Sequence, residues 1–244
     1  MKRAIWNVSL IVIISIGMSA AHGQEHLGYD LRNASRDGIG KFYLDREISH
    51  VMGHLGAAWL ERPGREREER TDLLVDMLLE QLPDGPNGRS GVVADIGAGT
   101  GYFTFPIAQR LVGGTVLAVD IQPEMLAVIE QRKDDLGLEN VTPIRGVEDD
   151  PNLPAGSVDL IFIVDAYHEF SHPFEMGLSM QQALRPNGVL VLIEYRAEDL
   201  SVPIKLLHKM SQEQASREMA AIGMWLRETV DTLPQQHFMV FEKQ

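Results

Sequence analysis

A chain of 244 residues, 44 % of them hydrophobic, can bury one sizeable core and still carry an additional arm, which excludes a disordered protein. Its formal charge of −13 would repel a phosphate backbone, so no nucleic-acid partner is expected. The absence of cysteine excludes disulfides, an acylated lipoprotein cysteine, thiolate metal sites and any chemistry needing a protein thiol.

At the start of the chain, Lys2 and Arg3 precede an uncharged apolar stretch from Val8 to Met18, followed by small residues at Ser19 and Ala21. This order predicts a secretory signal peptide over residues 1–23, with cleavage after Ala21 or Gly23 and an exported, periplasmic product. The alternative is an uncleaved anchor in the inner membrane, although residues 4–21 fall short of the ~20 apolar residues a spanning helix needs. Apart from this leader, no membrane association is expected, and the oligomeric state is not legible. Residues 24–70 read as an arm or lid. Its stretch Lys41–Leu60 places Ile48, Val51, Met52 and Leu55 at helical spacing and carries His50 and His54. Pro63 and the mixed-charge run Arg65–Arg70 follow, the latter read as a solvated face.

Residues 71–244 form the main domain. An amphipathic helix, Thr71–Leu82, ends in a Pro- and Gly-rich linker over residues 83–91. Strands are then predicted at Val92–Ile96, Thr115–Val119, Val141–Ile144, Val158–Val164 and Val189–Glu194, with helices at Tyr102–Leu111, Pro123–Leu136 and Pro173–Leu184. Helix is expected over Ile204–Ile222, then two strands, Met224–Thr232 and His237–Glu242, joined by a turn. The alternation predicts an α/β fold: a doubly wound, mostly parallel, seven-stranded Rossmann-like sheet closed by a C-terminal antiparallel hairpin.

Ligands of open α/β sheets sit at the carboxyl ends of the strands, so the first strand-to-helix turn, Asp95-Ile-Gly97-Ala-Gly99-Thr-Gly101, is the place to look. A nicotinamide dinucleotide fingerprint would need glycine at position 102, which is Tyr102. Asp95 would also repel a pyrophosphate, but it would suit a cationic ligand. The D-x-G-x-G-x-G turn, followed nineteen residues later by Asp120, resembles motif I and its partner acidic residue in the class I S-adenosylmethionine-dependent methyltransferases. That resemblance implies S-adenosylmethionine as cofactor. It also implies that Gly97, Gly99 and Gly101 cradle the methionine part, that Asp95 faces the ammonium group and that Asp120 takes the ribose hydroxyls. Val147 stands where many relatives have an acidic residue near the adenine, so Glu148 or Asp149 would substitute.

The stretch Asp165-Ala-Tyr-His-Glu-Phe-Ser-His172 ends the fourth predicted strand, where the resembled family lodges residues between the methyl group and its acceptor. An imidazole titrates near neutrality and suits a general base, so His168 is the first catalytic candidate, with Asp165, Tyr167 and Glu169 as positioning or base groups. His168-Glu-x-x-His172 also spells the zinc-peptidase motif, which works only when a helix carries both histidines. Pro173 argues against such a helix by pushing His172 out of the α region. No metal ligand set is assigned; an ion held by His50, His54 and His168 stays open. The expected function is S-adenosylmethionine-dependent methyl transfer to a small-molecule acceptor. The alternatives are a catalytically silent S-adenosylmethionine- or nucleoside-binding module and a zinc peptidase.

Overall fold

The computed structural model describes residues 28–85 and 88–244. The expected leader lies outside them. Among the described residues, no helix is long and apolar enough to cross a membrane.

Three short strands come first, β1 (Tyr29–Leu31), β2 (Gly38–Tyr43) and β3 (Arg46–Ser49), and form an antiparallel sheet of their own. The helix expected over residues 41–60 is therefore mostly absent. Ile48 is fully buried from β3, but Val51 and Leu55 are 45 % and 90 % exposed, so the helical spacing marked no common face. Only a 3₁₀ turn, His54–Gly56, and a single helical turn, α1 (Ala57–Leu60), follow, and His50 and His54 share no helix. The charged run becomes α2 (Arg65–Glu69), and it is not simply a solvated face. Arg65 and Glu69 are buried and paired at 3.0 Å.

Helix α3 (Thr71–Glu80) and the two-residue pair β4 (Asp84–Gly85) and β5 (Gly88–Arg89) lead into the alternating domain. That domain runs β6 (Val92–Ile96), α4 (Thr104–Arg110), β7 (Thr115–Asp120), α5 (Pro123–Leu136), β8 (Val141–Arg145), β9 (Val158–Val164), α6 (Pro173–Ala183), β10 (Leu184–Tyr195), α7 (Gln212–Ala221), β11 (Met224–Val230) and β12 (Gln236–Lys243). The seven-stranded sheet has the order β11-β12-β10-β9-β6-β7-β8, parallel from β10 to β8 and antiparallel at the β11–β12 hairpin. The strand order reverses between β6 and β9, which opens a crevice at their carboxyl ends.

Side chains alternate across this sheet, because successive strand residues point to opposite faces. Val93, Phe162, Val191 and Val240 pack with Leu74, Leu78, Ile107 and Ile129 from α3, α4 and α5. Ile161, Ile163, Leu192 and Met239 pack with Met180 and Met219 from α6 and α7. One expectation fails after β10. Residues 204–211 hold only a 3₁₀ turn, Leu206–His208, and α7 begins at Gln212, where the Ser211 hydroxyl accepts the Gln214 N–H at 3.1 Å. Such a cap satisfies one of the four N–H groups that a helix start leaves unpaired.

The N-terminal sheet is fastened to the main domain by buried charge. Arg46 of β3 makes a two-pronged pair with Glu218 of α7, at 2.6 and 2.8 Å, and donates a third hydrogen bond to the His168 carbonyl at 3.1 Å. The Tyr29 hydroxyl adds a bond to Glu175 of α6 at 2.7 Å.

Candidate functional site

Beyond Ile96 the chain turns through Gly97, Gly99 and Gly101, all at positive φ. Gly99 is the tightest position: a Cβ there would meet Leu60 Cδ1 at 2.6 Å. Asp120, at the end of β7, reaches back to this turn. Its Oδ2 accepts the Gly99 N–H at 2.9 Å and its Oδ1 the Gln122 N–H at 2.8 Å. Each carboxylate oxygen keeps a lone pair for a further donor such as a hydroxyl. Burial pushes the Asp120 carboxyl above its ordinary range, opposed by those same N–H bonds.

Asp120, Gly97, Gly99, Gln122, Val147 and Glu148 line a cavity of about 210 Å³. Several residues expected around the cofactor stand off its wall. Asp95 projects from β6 toward α4, where it is 4 % exposed and accepts the Thr104 hydroxyl at 2.6 Å. Burial pushes its carboxyl up to about 7. Gly101 lies under the turn, where a Cβ would strike the Phe105 ring, so its glycine serves the packing of α4. Asp149 is also off the wall, which leaves Glu148 as the carboxylate of that loop facing the cavity.

A second cavity of about 380 Å³ adjoins the first, and Met52, Leu60, Val164, Asp165 and Glu169 line both. Asp165 follows β9 at φ +49°, a left-handed conformation that costs a residue other than glycine about 1–3 kcal/mol and that clusters at functional sites. Its Oδ2 accepts from Gln236 at 3.1 Å, while its buried Oδ1 has no hydrogen-bond partner among the described residues. Burial, joined by the charges of Glu69 and Glu194, raises the Asp165 carboxyl well above its usual range.

After Asp165 a 3₁₀ turn, Tyr167–Glu169, sends neighbouring side chains in different directions. His168 and Glu169 reach the second cavity. Tyr167 does not; it is 1 % exposed and packs in the core on the α6–α7 side, with Arg46 over its ring at 5.7 Å. That position removes it from the candidate catalytic groups. His168 is 2 % exposed, and its Nδ1 bonds Glu194 Oε2 at 2.7 Å. Its Nε2 lies 3.1 Å from His208 Nδ1. His172 belongs elsewhere, beside the Ser171 hydroxyl at 2.9 Å and Glu148 at 3.6 Å. With the turn ending at Glu169 and α6 starting at Pro173, the two histidines of the peptidase motif never share a helix, and that reading fails.

Sequence reasoning missed the residues that bring the N-terminal segment over the site. Gln122 accepts the His54 N–H at 2.6 Å and donates to the Met52 carbonyl at 3.1 Å. Glu169 accepts the Met52 N–H at 3.1 Å through Oε2, which leaves Oε1 facing the histidines. Thr100, inside the glycine turn, donates to Glu61 at 2.6 Å. No spacing rule pairs Gln122 with residues some 70 positions earlier. Glu194 carried a faint signal as a charged residue inside the apolar run of β10.

The fold is an open, doubly wound α/β domain with a glycine turn and a buried carboxylate at the carboxyl ends of neighbouring strands. A family model described as a methyltransferase domain matches residues 94–190. A demethylmenaquinone methyltransferase of Thermus thermophilus is 29 % identical over 125 residues, 50 % of this chain and 51 % of that protein. A nocamycin O-methyltransferase of Saccharothrix syringae is 33 % identical over 113 residues, 46 % and 40 % of the two chains. The chain thus spans about half the length of the curated relatives it matches. Among solved structures, a SAM-dependent methyltransferase from Aquifex aeolicus superposes with a TM-score of 0.70 at 21 % identity, over 78 % of this chain and 98 % of that one. Over residues 94–190 the chain is thus similar to a methyltransferase domain, and its fold is that of the solved methyltransferase. The glycine turn that a Cβ would fill, and Asp120 with lone pairs to spare above it, fit S-adenosylmethionine.

Proposed function

We propose that the protein transfers a methyl group from S-adenosylmethionine to a small-molecule acceptor seated in the second cavity. The observation that carries this reading is the shared wall. Val164, Asp165 and Glu169 line both the cavity beside Asp120 and the one beside His168, so two ligands can meet there. Bound cofactor supplies an electrophilic methyl on a sulfonium; the residues of the chain do the rest. Asp120 and the glycine turn hold one ligand, and Asp165, His168 and Glu169 orient the other. Holding two reactants in line at contact distance is the main source of rate in a displacement of this kind.

The arm over residues 24–70 acts in this reading as a roof, supported by Met52 and Leu60 on both cavity walls. The leader read in residues 1–23 places the domain outside the cytoplasm; cell fractionation with N-terminal sequencing of the purified protein tests this separately. The activity itself is tested by incubating the protein with methyl-labelled cofactor and a fractionated metabolite extract. Transfer of label into a small molecule is expected, and its absence from every fraction, with cofactor bound, would leave only a silent binding module.

A further inference from the structure

Among the described residues, one group of imidazoles and carboxylates could hold a metal ion: His168, Glu169 and His208 offer one ligand atom each within 4.8 Å of one another. The three atoms are His168 Nε2, His208 Nδ1 and Glu169 Oε1. Their separations are 3.1 Å between the nitrogens and 3.8 and 3.6 Å from those nitrogens to the oxygen. A point equidistant from a triangle of these sides lies about 2.0 Å from each corner, within the bond lengths of zinc to histidine nitrogen and carboxylate oxygen. We propose that His168, Glu169 and His208 bind a divalent transition metal, zinc by this ligand set, on the wall of the second cavity.

Three features beyond the triangle support this. His168 Nδ1 faces the fully buried Glu194 at 2.7 Å, so it carries the proton and Nε2 presents its lone pair; a carboxylate behind a ligating histidine is the usual way its orientation is fixed. Glu169 is held from behind by the Met52 N–H on Oε2, which leaves Oε1 for the ion. His208 comes from the 3₁₀ turn after β10, 40 residues from His168, so the two rings meet only in the folded chain. Two imidazole nitrogens at 3.1 Å need a proton or a cation between them, and Glu169 Oε1 at 3.6 Å offers a cation its third ligand.

A set of two histidines and one carboxylate leaves coordination positions open, and these face the cavity. The role of the ion rests on reading that cavity as the acceptor chamber; its binding does not. In that role it takes an acceptor with an ionisable oxygen or sulfur. The O–H or S–H proton passes to water as the heteroatom binds the ion, and the anion so formed is held beside Asp165. The substrate class is thus a small hydroxyl or thiol compound with an accessible, deprotonatable end.

The test uses the full chain, stripped with chelator and reloaded with zinc, with metal counted by mass spectrometry and affinity read by competition with a chromophoric chelator. One equivalent is expected. His208→Ala should lose it while keeping the native circular dichroism spectrum, Glu194→Gln should weaken it about 10–100-fold, and His172→Ala should leave it unchanged. Absence of stoichiometric zinc in the reloaded wild type, or wild-type affinity in His208→Ala, would overturn the site. S-adenosylhomocysteine binding is measured on the same stripped and reloaded samples. Reloaded protein that binds S-adenosylhomocysteine but takes up no zinc would sink the metal site and spare the methyltransferase reading; reloaded protein that takes up zinc but binds no cofactor would do the reverse. Equal methylation by stripped and reloaded protein would overturn the role given to the ion.

Discussion

His168 and His172 stand four residues apart in the chain and belong to separate networks. His168 is buried against Glu194 and His208, while His172 pairs with Ser171 at the entrance to α6. Their substitutions should therefore behave differently. His168→Ala is expected to cut methyl transfer by ~10²–10⁴-fold, the range for loss of a group that takes or directs a proton, with cofactor affinity little changed. His172→Ala should alter turnover far less. Steady-state kinetics of both variants, alongside cofactor titrations, make the comparison, and equally severe losses would contradict the separation.

The glycine turn carries its own test in Gly99, which sits at φ +56° with Leu60 packed where a Cβ would go. Gly99→Ala should cost about 1–2 kcal/mol from the left-handed backbone alone, plus whatever the displaced Leu60 adds. Leu60→Ala in the same chain should recover only the second part. Urea unfolding of the four proteins in the cycle separates the two; complete recovery would mean that the turn tolerates a side chain.

Much of the fold was legible because its central strands are buried on both faces and read as unbroken apolar runs, as in Leu160–Val164. The glycine turn and Asp120 were legible for a related reason: close approach of backbone and ligand demands particular residue types at a fixed spacing. What failed was local periodicity without tertiary context. Ile48, Val51, Met52 and Leu55 match a helical period, yet β3 ends at Ser49 and no helix carries residues 50–53. Direction was equally hidden. Tyr167 and His168 are adjacent, and only the 3₁₀ turn decides that one enters the core and the other the cavity. The meeting of His168 with His208 depends on where the segment after β10 folds back, which no residue spacing encodes.

Arg46 and Glu218 form the buried clasp between the N-terminal sheet and α7. Removing one partner leaves the other charge buried and unpaired, so Glu218→Gln is expected to destabilise the protein by about 3–5 kcal/mol. Hydrogen exchange should accelerate first in β1–β3, because those strands lose their anchor. Exchange rising uniformly across the domain would argue that the sheet is held by other contacts.

Asp95 gives a pH dependence of definite sign. Its carboxyl is pushed up to about 7 in the folded chain by burial, against an ordinary aspartate value of 3.8. Between these values the folded state binds more protons than the unfolded state, so this residue's contribution is fully present below pH ~4 and is lost as pH rises toward ~7. The loss is on the order of 4 kcal/mol by the difference of the two values. Asp95→Asn should flatten the stability profile over that window, read from urea midpoints at half-unit intervals of pH. A parallel profile in the variant would show that Asp95 is not the source.

The most direct measurement is calorimetric titration of S-adenosylhomocysteine into the wild-type chain and into Asp120→Ala. Micromolar binding is expected for the wild type. The variant should bind about 10- to 150-fold more weakly, the loss of 1.5–3 kcal/mol that one charged hydrogen bond carries. Its unfolding midpoint should also fall, because the Gly99 and Gln122 N–H groups lose their acceptor. A wild-type chain that binds neither S-adenosylhomocysteine nor S-adenosylmethionine would contradict the proposed function at its root.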